Sequence, residues 1–287
     1  MDPVADLPPL GDVIAREGLW AKKALGQNFL LDINLTRRIA RAAGDLSQTT
    51  IVEVGPGPGG LTRALLLEGA AKVIVIEKDP RFLPVLREIA DAAAGRLEIV
   101  HEDALAFNWA QWSEPIKIVS NLPYNIATPL MIGWLREIER FASITVMIQK
   151  EVAQRLVAQP RTSAYGRLSV MSQWKSQVRT CFDVPPSAFL PPPKVVSTVV
   201  HFIPRVLEAI QPSWPVMEKL VADAFSMRRK MLRSCLQEYD EEILAKAMET
   251  ACVKPTQRAE ELLVQQFIAL AQALENSGQG GSASSKV

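Results

Sequence analysis

Between Thr49 and Gln149 the chain sets five short apolar runs, 49–54, 72–77, 96–103, 116–121 and 143–149, among segments of helical periodicity. Runs this short and this rich in Val and Ile read as strands buried on both faces. Helices read over 60–70, 80–95 and 127–141. Strands that alternate with helices need crossover connections, which are right-handed, so the expected fold is α/β: a doubly wound, mostly parallel, Rossmann-like sheet. Its ligand belongs at the carboxyl ends of the strands.

Two further strand patterns, 177–184 and 197–203, flank the proline-rich stretch 185–194, and from about Pro212 only helical periodicity remains, including 216–237 and 259–275. The expected division is a segment 1–15, an α/β domain 16–205, a small all-helical domain 206–275 and a tail 276–287. The two end segments are rich in Pro, Gly and Ser and read as mobile. With 287 residues, 48% of them hydrophobic, the chain can bury a substantial core. No window approaches the roughly 20 apolar residues that span a bilayer, and no N-terminal stretch joins a basic start to an apolar run, so a soluble cytoplasmic protein without membrane partners is expected. Cys181, Cys235 and Cys252 are scattered and read as reduced and structural.

Chemistry enters at the strand ends. Behind the first strand comes "VEVGPGPGGLT", with Gly55, Gly57, Gly59 and Gly60. Glycines let the backbone turn sharply and let a ligand approach without meeting a Cβ, and the helix start behind them offers free N–H groups. The loop fits a dinucleotide fingerprint and equally the loop of S-adenosylmethionine enzymes. Glu77, ending the second strand, is placed to bind a ribose hydroxyl in either case. Asp103, at the third strand end, is placed to accept from an adenine amino group. His101 and His201 read as structural, and neither has a metal-ligand partner at suitable spacing, so no metal is expected.

The fourth strand end resolves the choice. "SNLPY", 120–124, resembles the Asn-x-Pro-Tyr/Phe motif of methyltransferases acting on exocyclic nitrogens of nucleobases. Together with "KKALGQNFL", "QKEVAQRL", "YGRLSV" and "PPSAFLPPPKVVST" it is similar to the bacterial small-subunit ribosomal RNA adenine dimethyltransferases, over roughly residues 15 to 270 and with no departure at a motif position. The resemblance implies S-adenosylmethionine as methyl donor, bound by Asn28, Leu30, Gly55, Gly57, Glu77, Asp103 and Asn121 in a catalytic domain spanning 16–205. It further implies a monomer that dimethylates N6 of two adjacent adenosines in a hairpin loop near the 3′ end of 16S ribosomal RNA, within a pre-mature small subunit. Rival readings are a large-subunit dimethyltransferase conferring antibiotic resistance, an RNA-binding assembly factor with incidental methylation and, weakest, an NAD-dependent oxidoreductase.

The motif suits that chemistry. An adenine N6 is a poor nucleophile because its lone pair is delocalised into the ring. Acceptors on its two hydrogens, the Asn121 side-chain oxygen and the Leu122 carbonyl, favour a geometry in which the lone pair points at the methyl group. Pro123 restricts Leu122 to the extended region and removes a competing donor. Tyr124 offers a stacking platform for an unstacked base, and by resemblance Phe189 closes the other side. Ala127 and Thr128 are small enough to be compatible with a methylated amine.

Charge is unevenly placed: residues 150–233 hold 13 Lys/Arg against 5 Asp/Glu, in a chain whose net charge is only +1. A local basic face is expected to meet RNA phosphates. Its candidates are Lys22, Lys23, Arg155, Arg161, Arg167 and the run Arg228, Arg229, Lys230 and Arg233, read as lying on one helix whose apolar side carries Met227, Met231 and Leu232. The helical domain 206–275 would thereby share in RNA binding.

Overall fold

A computed structural model describes residues 2–21, 26–112, 114–207, 210–227 and 229–278. In chain order it forms α1 (Leu10–Glu17), β1 (Phe29–Leu30), α2 (Ile33–Ala42), β2 (Ile51–Val54), α3 (Gly60–Leu67), β3 (Val73–Glu77), α4 (Leu83–Ala92), β4 (Leu97–His101), β5 (Ile116–Asn121), α5 (Tyr124–Arg136), β6 (Phe141–Gln149), α6 (Lys150–Val157), α7 (Arg167–Lys175), β7 (Ser176–Val184), β8 (Phe189–Leu190), β9 (Ser197–Pro204), α8 (Trp214–Ala224), α9 (Leu232–Cys235), α10 (Glu241–Thr250) and α11 (Val264–Asn276).

Seven strands make one sheet in the order β4-β3-β2-β5-β6-β9-β7. The first five pair in parallel, as the alternating pattern requires, and β9 joins β6 antiparallel. Every residue of β2 and β3 is buried, which is why, apart from Glu53 and the closing Glu77, these strands read as apolar runs. The strand order reverses direction at β2, between β3 and β5, and there the carboxyl ends open a crevice. His201 on β9 lies opposite Thr145 on β6 and shares a 2.8 Å hydrogen bond with its hydroxyl, inside the sheet.

The chain divides into two compact units, Met1–Ala153 with Val178–Pro204, and Gln154–Gln177 with Arg205–Val287. This differs from the expected boundary at 205, because residues 154–177 carry aromatics that belong to the helical core. Trp174 of α7 stacks on Trp214 at 5.7 Å and donates to Gln211, and the buried Tyr165 hydroxyl donates to the Leu262 carbonyl at 2.9 Å. Phe225 and Phe267 stack at 5.8 Å in the same unit.

Two further expectations fail. The segment 1–15, expected to be mobile, holds a short 3-10 turn and most of α1, with Val4, Leu10, Val13 and Ile14 buried. Nor is 216–237 one helix. The buried stripe of α8, Met217, Leu220, Val221 and Ala224, would next bring position 228, an arginine, into the core. The helix stops instead, and a fresh turn, α9, buries Leu232. Met227 and Met231 are left exposed, so they do not form the expected apolar side.

Candidate active site

The loop after β2 passes through Gly55, Gly57 and Gly59 at φ of +64°, +55° and +88°, a left-handed series that side chains other than glycine rarely adopt. Gly59 then caps α3. Packing at the start of that helix is as tight as the turn: a Cβ on Gly60 would lie 2.7 Å from the Leu30 carbonyl oxygen and 3.0 Å from Leu10 Cδ2. Glu77, ending the neighbouring strand and 6% exposed, accepts from the Gly57 N–H at 3.0 Å and from the Asp79 N–H at 2.7 Å. Burial raises its carboxyl pKa, opposed by those two backbone donors. Thus an acid of one strand holds the glycine turn of the next.

Two residues past β4, Asp103 accepts from Lys78 Nζ at 2.6 Å and from the Leu105 N–H at 3.0 Å. The Lys78 ammonium holds its carboxyl below the usual range. At the end of β5, Asn121 Nδ2 donates to the Asn28 carbonyl at 3.3 Å, and Asn28 Nδ2 donates to the Gly26 carbonyl at 3.2 Å, which ties the stretch before β1 to the turn after β5. Leu122 N–H donates to the Met147 carbonyl at 3.3 Å. Pro123, at φ −56° and ψ 127°, leads into α5, whose first residue is Tyr124. The Tyr124 hydroxyl sits 2.7 Å from the Ser197 hydroxyl on β9, and burial raises its pKa.

These groups share one cavity of about 440 Å³. Asn28, Leu30, Gly55, Gly57, Glu77, Asp103, Asn121, Leu122, Pro123 and Tyr124 all line it. Phe189 does not: it pairs across β8 with Leu30 of β1 and is 4% exposed within the hydrophobic core, so its ring is held by packing. Arg155, Arg161, Arg167, Arg229, Lys230 and Arg233 are exposed and fall in the helical unit, the last three straddling the break before α9. Lys22, Lys23 and Arg228 lie outside the described residues.

The Ribosomal RNA adenine dimethylase family matches residues 18–276. "Ribosomal RNA small subunit methyltransferase A" of Paramagnetospirillum magneticum is 53% identical over 275 residues, covering 95% of this chain and 96% of its own, and that of Rhodospirillum rubrum is 53% identical over 274, covering 95% and 94%. The chain belongs to the ribosomal RNA adenine dimethylase family.

Among solved structures, the dimethyladenosine transferase from Plasmodium falciparum superposes with a TM-score of 0.72 at 24% identity over 87% of this chain and 98% of its own, a likeness of fold. The 23S rRNA methyltransferase ErmE superposes at 0.65 with 28% identity over 86% of this chain and 100% of its own. An adenine dimethylase of this class takes its methyl group from S-adenosylmethionine, and the cavity fits such a ligand. Its left-handed glycines leave backbone without Cβ atoms at the wall, its acids stand at successive strand ends, and its volume suits a nucleoside-sized ligand.

One acid of this dimethylase escaped the sequence reading. Glu53 lies in β2, 1% exposed on the cavity wall, and accepts from the Thr62 hydroxyl at 2.6 Å. Burial pushes its carboxyl pKa up to about 8, and the nearby Glu77 adds to that rise while Thr62 opposes it. The signal was present: an acid inside a strand buried on both faces is out of place unless the site uses it. Gln27, inside the quoted KKALGQNFL stretch but not singled out, also lines the cavity, as do Lys78, Leu105 and Leu10, to which no motif points.

Proposed function

We propose that this chain dimethylates N6 of adenosines in small-subunit ribosomal RNA, two adjacent ones in a terminal hairpin loop, with S-adenosylmethionine held by the glycine loop, Glu77, Asp103, Asn28 and Leu30. The observation that carries the reading is the junction of two features in one cavity: the Asn-Leu-Pro-Tyr turn that ends β5 and the glycine turn braced by Glu77. When bound, the cofactor supplies a methyl group activated by its sulfonium.

This chain's residues do the rest by positioning. The Asn121 amide nitrogen is spent on the Asn28 carbonyl, which leaves the amide oxygen to accept from the target N6. The backbone of Leu122 is fixed by its N–H bond to Met147 and by Pro123, so its carbonyl has one direction to aim. Two acceptors on the amine hydrogens turn the N6 lone pair toward the methyl group, and orientation of this kind supplies much of the rate. Tyr124, pinned through Ser197, holds its ring for the base to stack on. The cations of the helical unit contact phosphates around the target.

Small-subunit RNA is preferred over large-subunit RNA because the relatives at 53% identity carry the small-subunit name while ErmE, which acts on 23S RNA, is at 28%. Mapping dimethyladenosine on both ribosomal RNAs, with and without the protein, tests the choice; marks on the large subunit alone would reverse it. With S-adenosylmethionine saturating, Asn121→Ala is expected to lower the single-turnover rate far more than RNA affinity, because the bond it removes matters most in the transition state. Ribosome assembly rescued by a methylation-dead Asn121 variant would favour the assembly-factor reading.

A further inference from the structure

The stretch before β1 is fastened by four arginines drawn from three different elements and their flanks. Arg96 makes a two-pronged bond to the Asp2 carboxylate at 2.9 and 2.8 Å. Arg63 of α3, 6% exposed, donates to the Pro8 carbonyl at 2.6 Å while its Nε finds no partner among the described residues. Arg16 of α1 reaches Glu88 of α4 with two bonds of 2.8 and 2.9 Å, and Arg81 donates to the Trp20 carbonyl at 3.2 Å. Between these points Val4, Leu10, Val13, Ile14 and Leu19 are all at most 7% exposed.

Fastening of this density is more than the stretch needs merely to be covered. A guanidinium buried with one N–H unsatisfied among the described residues is costly, and here it serves the Pro8 carbonyl just before α1. What that carbonyl places is Leu10, the first residue of α1, on the wall of the cavity. Leu10 Cδ2 and the Leu30 carbonyl converge on Gly60, where a Cβ would lie 3.0 Å from the one and 2.7 Å from the other. The absence of a side chain at Gly60 lets a residue from the N-terminal stretch reach the site.

We propose that residues 2–20 form a strap that completes the S-adenosylmethionine cavity, with Leu10 as a cofactor-binding residue. This rests on the cavity being the cofactor's, as argued above. The strap contributes the apolar side chain of Leu10 to the cavity wall, so its removal weakens the hold on the cofactor and leaves the hold on RNA as it was.

Titration calorimetry of S-adenosylmethionine on the full-length protein, with melting curves recorded without cofactor, tests it. Leu10→Ala is expected to weaken cofactor binding about tenfold, as for loss of one apolar side chain from a ligand's wall. The KM for S-adenosylmethionine should rise, kcat at saturation and RNA affinity should hold, and Leu10→Met should restore affinity. A lower melting temperature for Leu10→Ala with unchanged cofactor affinity would make Leu10 a packing residue and overturn the proposal. If the unaltered protein itself did not bind S-adenosylmethionine, the assignment of the cavity would fail, which is a separate result.

Discussion

The protonation state of Glu53 is set by its burial. Its folded pKa of about 8 lies above its ordinary value of 4.5, so the folded protein holds a proton there that the unfolded chain releases. The stability tied to that proton is fully present below about pH 4.5 and is lost as pH rises toward 8. Melting temperature should therefore fall between pH 5 and 8 more steeply in the native protein than in Glu53→Gln, which stays neutral and keeps an acceptor for Thr62; parallel curves would show that Glu53 ionises freely. Tyr124 makes a second case. Its ring and its hydroxyl have separable jobs, the one facing the cavity and the other bonded to Ser197. Tyr124→Ala should cost about 1–3 kcal/mol in single-turnover methylation because the base loses its stacking platform. Tyr124→Phe and Ser197→Ala should each cost about 0.5–1.5 kcal/mol, the worth of one hydrogen bond, and resemble each other. Equal damage from Tyr124→Phe and Tyr124→Ala would make the hydroxyl, not the ring, the essential group.

At the scale of elements, the start of α3 shows packing overruling propensity. Alanine is favoured over glycine in a helix by about 1 kcal/mol. Yet a Cβ at Gly60 would meet the Leu30 backbone at 2.7 Å, and backbone cannot swing aside as a side chain can. Gly60→Ala should lower stability by about 1–3 kcal/mol, the usual cost of overpacking, and weaken S-adenosylmethionine binding by displacing β1 from the cavity. A calorimetric affinity unchanged from the native protein would show that β1 yields freely. What could be read from sequence follows the same division between local pattern and distant partner. β2, β3 and β5 were legible because both faces are buried, which writes an apolar run into the chain. The strand-end acids were legible because an acid closing such a run has few structural uses. The fold of residues 3–17 was not, since its Pro-rich composition says nothing of Arg63 and Arg96, some 55 and 94 residues away, that supply its bonds. Phe189 was misplaced because a proline-rich loop does not reveal that its strand pairs with Leu30. The break before α9 was visible in principle, as the point where a helical stripe runs into an arginine.

Taken whole, the molecule separates its chemistries. Every residue lining the cavity lies in the sheet unit, while Arg155, Arg161, Arg167, Arg229, Lys230 and Arg233 lie in the helical one. Replacing Arg229, Lys230 and Arg233 together by Ala should weaken RNA binding and reduce its log–log salt slope by about 0.7 for each phosphate no longer neutralised, while cofactor affinity stays unchanged. An unaltered slope would leave these cations as a solvated surface. Within the sheet unit the strand order also sets a scale. Asp103, Glu77, Gly55 and Asn121 stand at the carboxyl ends of β4, β3, β2 and β5, which are neighbours in that order. Adjacent strands are about 4.8 Å apart, so the backbone ladder alone lays these four groups along a rim of roughly 14 Å. The sheet thus acts as a ruler whose divisions are peptide hydrogen bonds. Substitutions in the core can loosen the unit, but the spacing of the marks changes only if a strand is added, lost or exchanged.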